Sequence, residues 1–289
     1  MKRLLPLALC ISAPSVRADL PLSLEELLTE KGKLRLESSL AYINGEQQKG
    51  EFANPVFIQT GTASFVPVPT ELREQNRNSD MLVATLGLRY GLTGKTDVYG
   101  NANHIWRNER SFNGEREYSR SSRNLADVSL GISHTFVQDG KNPALIGFAE
   151  TAVYEKSQGK AALGKGWLVG ATTYKAIDPV VLSLTAAYKL NLAKNTDNGR
   201  YRAGNFLMLN PSVSFAANDR ISINGGVQWI AAQADKLDGN TTSPKNTSSY
   251  AHAGVGLGIG KDTALNASAR FKVSGQGSAE WKLGISHTF

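Results

Sequence analysis

The residues best suited to chemistry in this chain are four histidines, because an imidazole can act as a general base or a metal ligand near neutral pH. They are His104, His134, His252 and His287. Ser249 lies near His252, but no carboxylate completes a triad around them, and no His, Asp or Glu group has the spacing of metal ligands. The sequence therefore predicts no catalytic residue, no metal site and no cofactor.

A second set of chemically capable residues consists of charged side chains that alternate with apolar ones along predicted strands. The cations are Lys33, Arg35, Arg89, Lys175, Lys189, Arg270, Lys272 and Lys282, and the acids facing the same way are Glu37, Asp127 and Glu150. If this face lines a water-filled interior, its excess of cations favours anions or acidic solutes. If the cations pair with these acids and with loop acids such as Glu46, Glu51 and Glu71, no preference results. The sequence allows both interpretations.

The last segment of the chain, 280–289, shows the alternation most plainly. One face carries Trp281, Leu283, Ile285, His287 and Phe289, and the other carries Lys282, Gly284, Ser286 and Thr288. A strand of this kind is typical of a closed transmembrane barrel, in which lipid covers the apolar face and water covers the other. The ending also resembles the C-terminal assembly signal of bacterial outer-membrane barrels. Lys282, Gly284 and Phe289 match that signal, whereas His287 occupies its hydrophobic position and departs from it. Barrel assembly machinery is therefore an expected partner.

Eleven further segments alternate in the same way, so the sequence predicts an antiparallel barrel of about twelve strands. Their ranges are 33–43, 81–90, 98–106, 125–136, 143–154, 167–175, 180–192, 206–215, 221–231, 249–259 and 264–273. Short and long connections alternate between them, as in barrels with short periplasmic turns and long extracellular loops. The peptide LGISHTF occurs at 130–136 and again at 283–289, which predicts two equivalent strands. Residues 55–68 are predicted to form a hairpin within the first long loop.

Aromatic residues near the predicted strand ends could form the girdles that mark membrane interfaces. They are Tyr42, Tyr90, Trp106, Trp167, Tyr188 and Trp229. The register assigned to 167–175 turns Trp167 towards the interior of the barrel.

The chain before the barrel divides into two predicted segments. Residues 1–18 have the charged start, apolar run and small residues near the cleavage site of a secretory signal peptide. Residues 19–32 form a short periplasmic segment, in which 21–31 are predicted to be a helix capped by Ser23. This helix either plugs the lumen or tethers the chain. The barrel itself is assigned to 33–289.

Composition and charge argue against a helical membrane protein and against a nucleic-acid-binding protein. The mean hydropathy is −0.26 and no stretch is apolar enough for a spanning helix, a test that does not detect barrels. The net charge of +7 admits nucleic acid, but no basic cluster is interleaved with aromatic residues, so no nucleic-acid partner is predicted. The single cysteine, Cys10, lies in the predicted signal peptide. A soluble secreted β-sandwich, which would bury the apolar faces in a dry core, is the alternative fold.

Three segments carry a family resemblance. TLGLRYGLTGKTDVYG at 85–100, GKLRLESSLAYI at 32–43 and the C-terminal ending resemble outer-membrane transporters related to the amyloid-secretion pore of the Fap system, and they are similar to the broader family named for the meta-pathway of phenol degradation. The resemblance implies a twelve-stranded pore with a periplasmic N-terminus that exports a polypeptide or admits a small hydrophobic compound. The amyloid-secretion pore is trimerised by a long coiled coil, whereas only 21–31 precede the barrel here, so the oligomeric state is left open.

The sequence thus predicts an all-β transmembrane barrel in the outer membrane of a Gram-negative bacterium. Its predicted function is a channel or transporter that passes a small molecule or a polypeptide through the lumen, with an anion preference as one option. Its expected partners are outer-membrane lipid and an unidentified transported solute. The alternative function is a barrel enzyme that hydrolyses lipid or peptide with His252 or His104 in its site.

Overall fold

The computed structural model describes residues 29–47, 56–61, 64–68, 77–112, 117–157, 160–260, 262–274 and 277–289. These residues form nineteen strands, labelled β1 to β19 in chain order, and no helix. The barrel strands are β1 (Leu34–Gln47), β4 (Arg77–Thr93), β5 (Thr96–Phe112), β6 (Glu117–Val137), β7 (Ala144–Ser157), β9 (Gly166–Ile177), β10 (Val180–Asn191), β13 (Phe206–Ala216), β14 (Ile221–Ala232), β17 (Asn246–Gly258), β18 (Thr263–Lys272) and β19 (Ser278–Thr288). The shorter strands are β2 (Val56–Gly61), β3 (Ser64–Val68), β8 (Lys160–Ala162), β11 (Lys194–Thr196), β12 (Gly199–Arg202), β15 (Lys236–Leu237) and β16 (Asn240–Thr241).

The twelve barrel strands form a closed antiparallel ring. The order around the ring is β6, β5, β4, β1, β19, β18, β17, β14, β13, β10, β9 and β7, and β7 pairs with β6 again. The first and last strands also pair, with Arg35 opposite Thr288 and Tyr42 opposite Trp281. Closure leaves no barrel strand with an unpaired edge, which a membrane-spanning sheet requires. The predicted twelve-stranded transmembrane barrel is confirmed. Within the described ranges, no helix is long and apolar enough to cross a membrane.

Alternation along each strand separates an apolar outer surface from the interior. In β10, Leu182 and Leu184 are 51% and 42% exposed on the outer face, whereas Thr185 and Lys189 are each 2% exposed on the inner face. The same division recurs around the ring, so large apolar side chains cover the outside. A surface of this kind is unfavourable in water and favourable against lipid.

The two ends of the barrel differ in their connections. At the short-turn end, neighbouring strands are joined through residues 94–95, 138–143, 178–179, 217–220 and 259–262. At the long-loop end, the connections carry β8, the β2–β3 hairpin and a separate four-stranded sheet of β11, β12, β15 and β16. The hairpin predicted at 55–68 therefore forms, whereas sequence patterning missed the four-stranded sheet.

The register predicted for 167–175 is wrong. Trp167 pairs with Leu190 and Lys175 pairs with Leu182, and both partners lie on the outer face of β10. Trp167 is 44% exposed with the other outward residues, and Lys175 is not a lumen residue. The error arose because Leu168 faces inward and is buried, so apolar residues occupy both faces of β9.

The predicted signal peptide, 1–18, lies outside the described residues, and so does most of the predicted helix at 21–31. The last part of that helix, 29–31, is described and is not helical. Lys31 forms a parallel bridge with Gly91 of β4. The chain is therefore already paired with the barrel wall before β1 begins.

Candidate functional site

The candidate site is the lumen, onto which most of the predicted charged residues project. Arg35, Glu37, Arg89, Asp127, Lys189 and Lys282 are buried on the inner face. Arg270 and Lys272 face inward opposite His252 and Tyr250, and Lys33 lies two residues before Arg35. The structure thus brings these residues to one interior, where they fall into separate groups.

The first group, which we call the Arg89 cluster, consists of Arg89, Glu37, Asp97, Tyr99 and Ser133. Arg89 Nη1 lies 3.3 Å from Asp97 Oδ2 and donates to Ser133 Oγ at 3.2 Å. Its Nε lies 3.9 Å from Glu37 Oε1, and its guanidinium lies 4.6 Å from the centre of the Tyr99 ring. Four strands are joined in this way near the short-turn end. Sequence analysis missed Asp97, which follows the β4–β5 turn and has no strand pattern before it.

The segment before β1 is attached to this cluster. The Thr29 amide donates to Asp97 Oδ2 at 2.9 Å, and Thr29 is 2% exposed. Gly32 N donates to Gly91 O at 2.8 Å, and Gly91 N donates to Lys33 O at 3.1 Å. A Cβ on Gly91 would lie 2.2 Å from the Glu30 carbonyl oxygen, so only glycine permits this approach. Residues 29–33 therefore lie against the inner wall at the short-turn end.

A second group connects the barrel interior to a loop at the other end. Lys194, on β11, places its Nζ 2.7 Å from Glu155 Oε1 and 5.8 Å from the centre of the Tyr201 ring. Asp127 lies opposite Glu155 and accepts a hydrogen bond from Asn103 Nδ2 at 3.0 Å. Asp127 is thus hydrogen-bonded within the wall, and β11 is fixed at the rim of the lumen.

A third group, the Arg270 cluster, consists of Arg270, Glu280, Gln228 and Tyr250. Arg270 Nη2 and Nε donate to Glu280 Oε2 at 2.6 and 3.0 Å, and Nη1 donates to Gln228 Oε1 at 2.8 Å. The guanidinium lies 4.6 Å from the centre of the Tyr250 ring. Lys282 follows Glu280 on the inner face of β19. Sequence analysis found Arg270 but missed Glu280 as its partner.

Two apolar patches also face inward, nearer the long-loop end, and sequence analysis did not predict them. One is formed by Leu168, Ala187, Phe206, Met208, Ile230 and Tyr250. The other is formed by Ala41, Met81, Val83 and Ile105 on β1, β4 and β5. In the ring order, β18 and β19 separate the patches on one side and β6 and β7 on the other, so they lie on opposite walls. The lumen is therefore not uniformly polar.

The histidines do not form a catalytic group with their candidate partners. His252 faces inward with Nε2 3.0 Å from Asn210 Oδ1, whereas Ser249 lies on the other face of β17, opposite Trp229. The His104 ring packs against Trp106, with ring centres 4.5 Å apart. In the described residues, no three His, Cys, Asp or Glu side chains are grouped to hold a metal.

The two LGISHTF copies make the same contacts. His134 Nδ1 lies 2.8 Å from Thr96 Oγ1, and His287 Nδ1 lies 2.8 Å from Thr263 Oγ1. Each imidazole packs edge-on against the Phe two residues later. In the predicted assembly signal, Lys282 and Gly284 face inward, whereas His287 and Phe289 face outward.

Comparisons with known proteins identify the fold. No protein-family model matches the sequence, and neither does any curated protein. An outer membrane channel from Pseudomonas putida F1 is similar in structure, with a TM-score of 0.62 and 11% identity over 96% of this chain and 99% of that one. The translocator domain of the autotransporter NalP from Neisseria meningitidis has a TM-score of 0.53 and 11% identity, covering 90% of each chain. The transport unit of AIDA-I from Escherichia coli has a TM-score of 0.52 and 12% identity, covering 93% of this chain and 95% of that one. The fold is that of outer-membrane β-barrels, and the relation to the Fap and phenol-degradation families stays a prediction.

Proposed function

We propose that this protein is an outer-membrane channel through which small molecules cross. The observation that carries the proposal is the closed ring, whose outer face is apolar and whose inner face carries charged and polar groups. The similar Pseudomonas putida protein is described as an outer membrane channel, which supports the same function here. On this proposal, the long loops face outside a Gram-negative cell, and the short turns and the segment before β1 face the periplasm.

The packing of the lumen favours a small solute over a polypeptide. Inward side chains such as Phe206, Met208 and Lys189 are at most 2% exposed, so the interior is largely filled around them. A polypeptide would have to displace many such side chains, whereas a small molecule displaces few. The two apolar patches favour a solute with an apolar part, and we propose a small hydrophobic compound as the solute.

Lysines at the two ends of the lumen are the charges that would make the channel prefer anions. Arg89 and Arg270 are paired with carboxylates, which reduces their field. Lys33 at the short-turn end and Lys272 at the long-loop end form no ion pair with the described residues. We propose a weak anion preference set by these two lysines.

Planar-bilayer recording tests both parts of the proposal. The purified protein is expected to give discrete conductance steps, and a potassium chloride gradient is expected to give a reversal potential on the anion-selective side. The double variant Lys33→Gln, Lys272→Gln is expected to move the reversal potential towards zero, because both mouth charges are removed. Lys141→Gln, an exposed turn variant, is the matched control and should not move it. An absence of conductance would overturn the channel, and an unchanged potential in the double variant would overturn the role of the lysines.

Uptake of the solute needs a separate measurement. Liposomes that contain the protein are expected to take up small aromatic compounds faster than empty liposomes. Met208→Asp, which places a carboxylate in the larger apolar patch, is expected to slow that uptake while ion conductance persists. Uptake that is equal with and without the protein would exclude a hydrophobic solute.

A further inference from the structure

An outward groove lies at the long-loop end of β1, β4, β5 and β6. Tyr42, Leu82, Trp106 and Arg123 are direct neighbours across these four strands and form one row on the outer face. The groove has a volume of about 500 Å³, and this row lines it. Tyr42 and Trp106 are 43% and 40% exposed, so the groove is accessible from the lipid-facing side of the barrel.

A polar row lies directly above the aromatic row, towards the loops. It consists of Asn44, Asp80, Asn108 and Ser121, which are also direct neighbours on successive strands. Amphipathic aromatic rings mark the boundary between hydrocarbon and headgroups in membrane proteins. In a bilayer, the polar row and Arg123 therefore lie at the level of the lipid headgroups.

Asp80 is the carboxylate that lines the groove, and both of its oxygens already accept hydrogen bonds. Asp80 Oδ1 accepts hydrogen bonds from Tyr42 Oη and Asn44 Nδ2, both at 2.7 Å, and Asp80 Oδ2 accepts one from Arg110 Nη2 at 2.7 Å. Arg123 is exposed, and within the described part of the chain it forms no ion pair. The groove therefore presents one unpaired guanidinium beside two aromatic rings and a neutralised acid.

The described outer faces of barrel strands β9 to β19 offer no equivalent. Trp167, Tyr188, Trp229 and Trp281 also lie near the long-loop end, so aromatic residues occur on other walls. Among the described residues of barrel strands β9 to β19, the one outward lysine or arginine is Lys175, which lies at the short-turn end. On these strands, the described aromatic rings at the long-loop end are therefore not accompanied by an outward cation.

We propose that this groove binds the phosphorylated headgroup of a glycolipid in the outer leaflet, with Arg123 contacting a phosphate. A guanidinium binds phosphate through two parallel hydrogen bonds, which suits a fixed surface site. Trp106 and Tyr42 contact the junction between the headgroup and its acyl chains, and Leu82 contacts the chains. The bound lipid occupies a fixed position beside β4 and β5.

Native mass spectrometry of the detergent-purified barrel with diphosphoryl lipid A tests this proposal. Arg123→Gln is expected to weaken binding about tenfold, the loss of one charge-assisted phosphate contact. Lys175→Gln, which removes an outward cation from the short-turn end, is the matched control and should bind as the unaltered protein does. Heat-modifiable gel mobility shows that both variants are folded.

Three results would overturn the proposal. Equal binding of lipid A by Arg123→Gln and by the unaltered protein would show that Arg123 does not contact the lipid. A tenfold difference that persists with phosphate-free lipid A would exclude the phosphate contact. Displacement of the lipid by millimolar inorganic phosphate would show a site for free anions and not for a lipid.

Discussion

The Arg89 and Arg270 clusters are built alike but lie in different parts of the lumen. Each has an arginine on a carboxylate and 4.6 Å from the centre of a tyrosine ring. The Arg270 cluster joins barrel strands to one another through Glu280 and Gln228. The Arg89 cluster also joins its strands, but its Asp97 accepts a hydrogen bond from Thr29, outside the barrel strands. The same chemistry therefore stabilises the wall at one place and fixes a preceding segment inside the lumen at the other.

Replacing either arginine is expected to cause the largest losses of stability, and the loss should grow with the number of carboxylates left without a partner. Arg89→Met leaves Glu37 and Asp97 buried without this partner, so we expect the free energy of unfolding to fall by about 3–5 kcal/mol. Arg270→Met leaves one carboxylate, Glu280, which Lys282 follows on the same face, and we expect a smaller fall of about 2 kcal/mol. Urea unfolding in lipid vesicles, followed by tryptophan fluorescence, measures both. Equal losses in the two variants would contradict the distinction between the clusters.

A substitution at Gly91 can release residues 29–33 from the wall without removing the ion pairs of the Arg89 cluster. Gly91→Val places a side chain where the Glu30 carbonyl lies, so residues 29–33 must move while Arg89 keeps its carboxylates. We expect faster proteolytic cleavage near Lys31, with a loss of stability of about 1 kcal/mol. Gly45→Val, on β1 near the long-loop end, is the control, because a Cβ there meets only Ser278 Cβ at 3.7 Å. Cleavage at the same rate in both variants would show that Gly91 does not position the segment.

The repeated LGISHTF peptide offers a second internal comparison. Because His134 and His287 make the same contact to a threonine, His134→Ala and His287→Ala are expected to lose similar stability, about 1 kcal/mol each. His287 also lies in the predicted assembly signal, so His287→Ala alone is expected to slow insertion by purified barrel assembly machinery. Insertion at equal rates would remove His287 from that signal.

A half-buried ion pair in a turn provides the smallest expected effect. Lys175 Nζ lies 3.0 Å from Asp139 Oδ1 in the β6–β7 turn. Partial burial opposes ionisation, but hydrogen bonds from Lys175 and the Ala176 amide hold the pKa of Asp139 below its ordinary value. The pair therefore stabilises the fold above the ordinary pKa of an aspartate, and this contribution is lost as the pH falls through the lowered pKa.

We expect Asp139→Asn to lower the free energy of unfolding by less than about 1 kcal/mol at neutral pH. The same unfolding measurement at neutral and acidic pH checks this, and the difference from the unaltered protein should vanish in acid. A loss of stability as large as that of Arg270→Met would show that burial in the lumen does not make the arginine clusters more stabilising than this turn pair.

The barrel was predictable because its outer face is apolar on almost every strand, as in β10, where alternation alone defines both faces. The β9 register was not predictable, because Leu168 is apolar and faces inward. The small sheet of β11, β12, β15 and β16 was missed because its strands are two to four residues long and come from different loops. The two arginine clusters depend on partners such as Gln228, 42 residues from Arg270, which only the ring order brings together.

The central proposal is that the lumen conducts ions and is narrowed at the short-turn end by residues 29–33, which contact the Arg89 cluster and Gly91. Single-channel recording of the chain from residue 19 onward, compared with a variant that begins at residue 32, tests this claim. We expect both proteins to conduct and the shortened protein to have the larger unit conductance, because Thr29 no longer lies against Asp97. Equal unit conductances would contradict the narrowing by this segment, and an absence of conductance in both would contradict the channel itself.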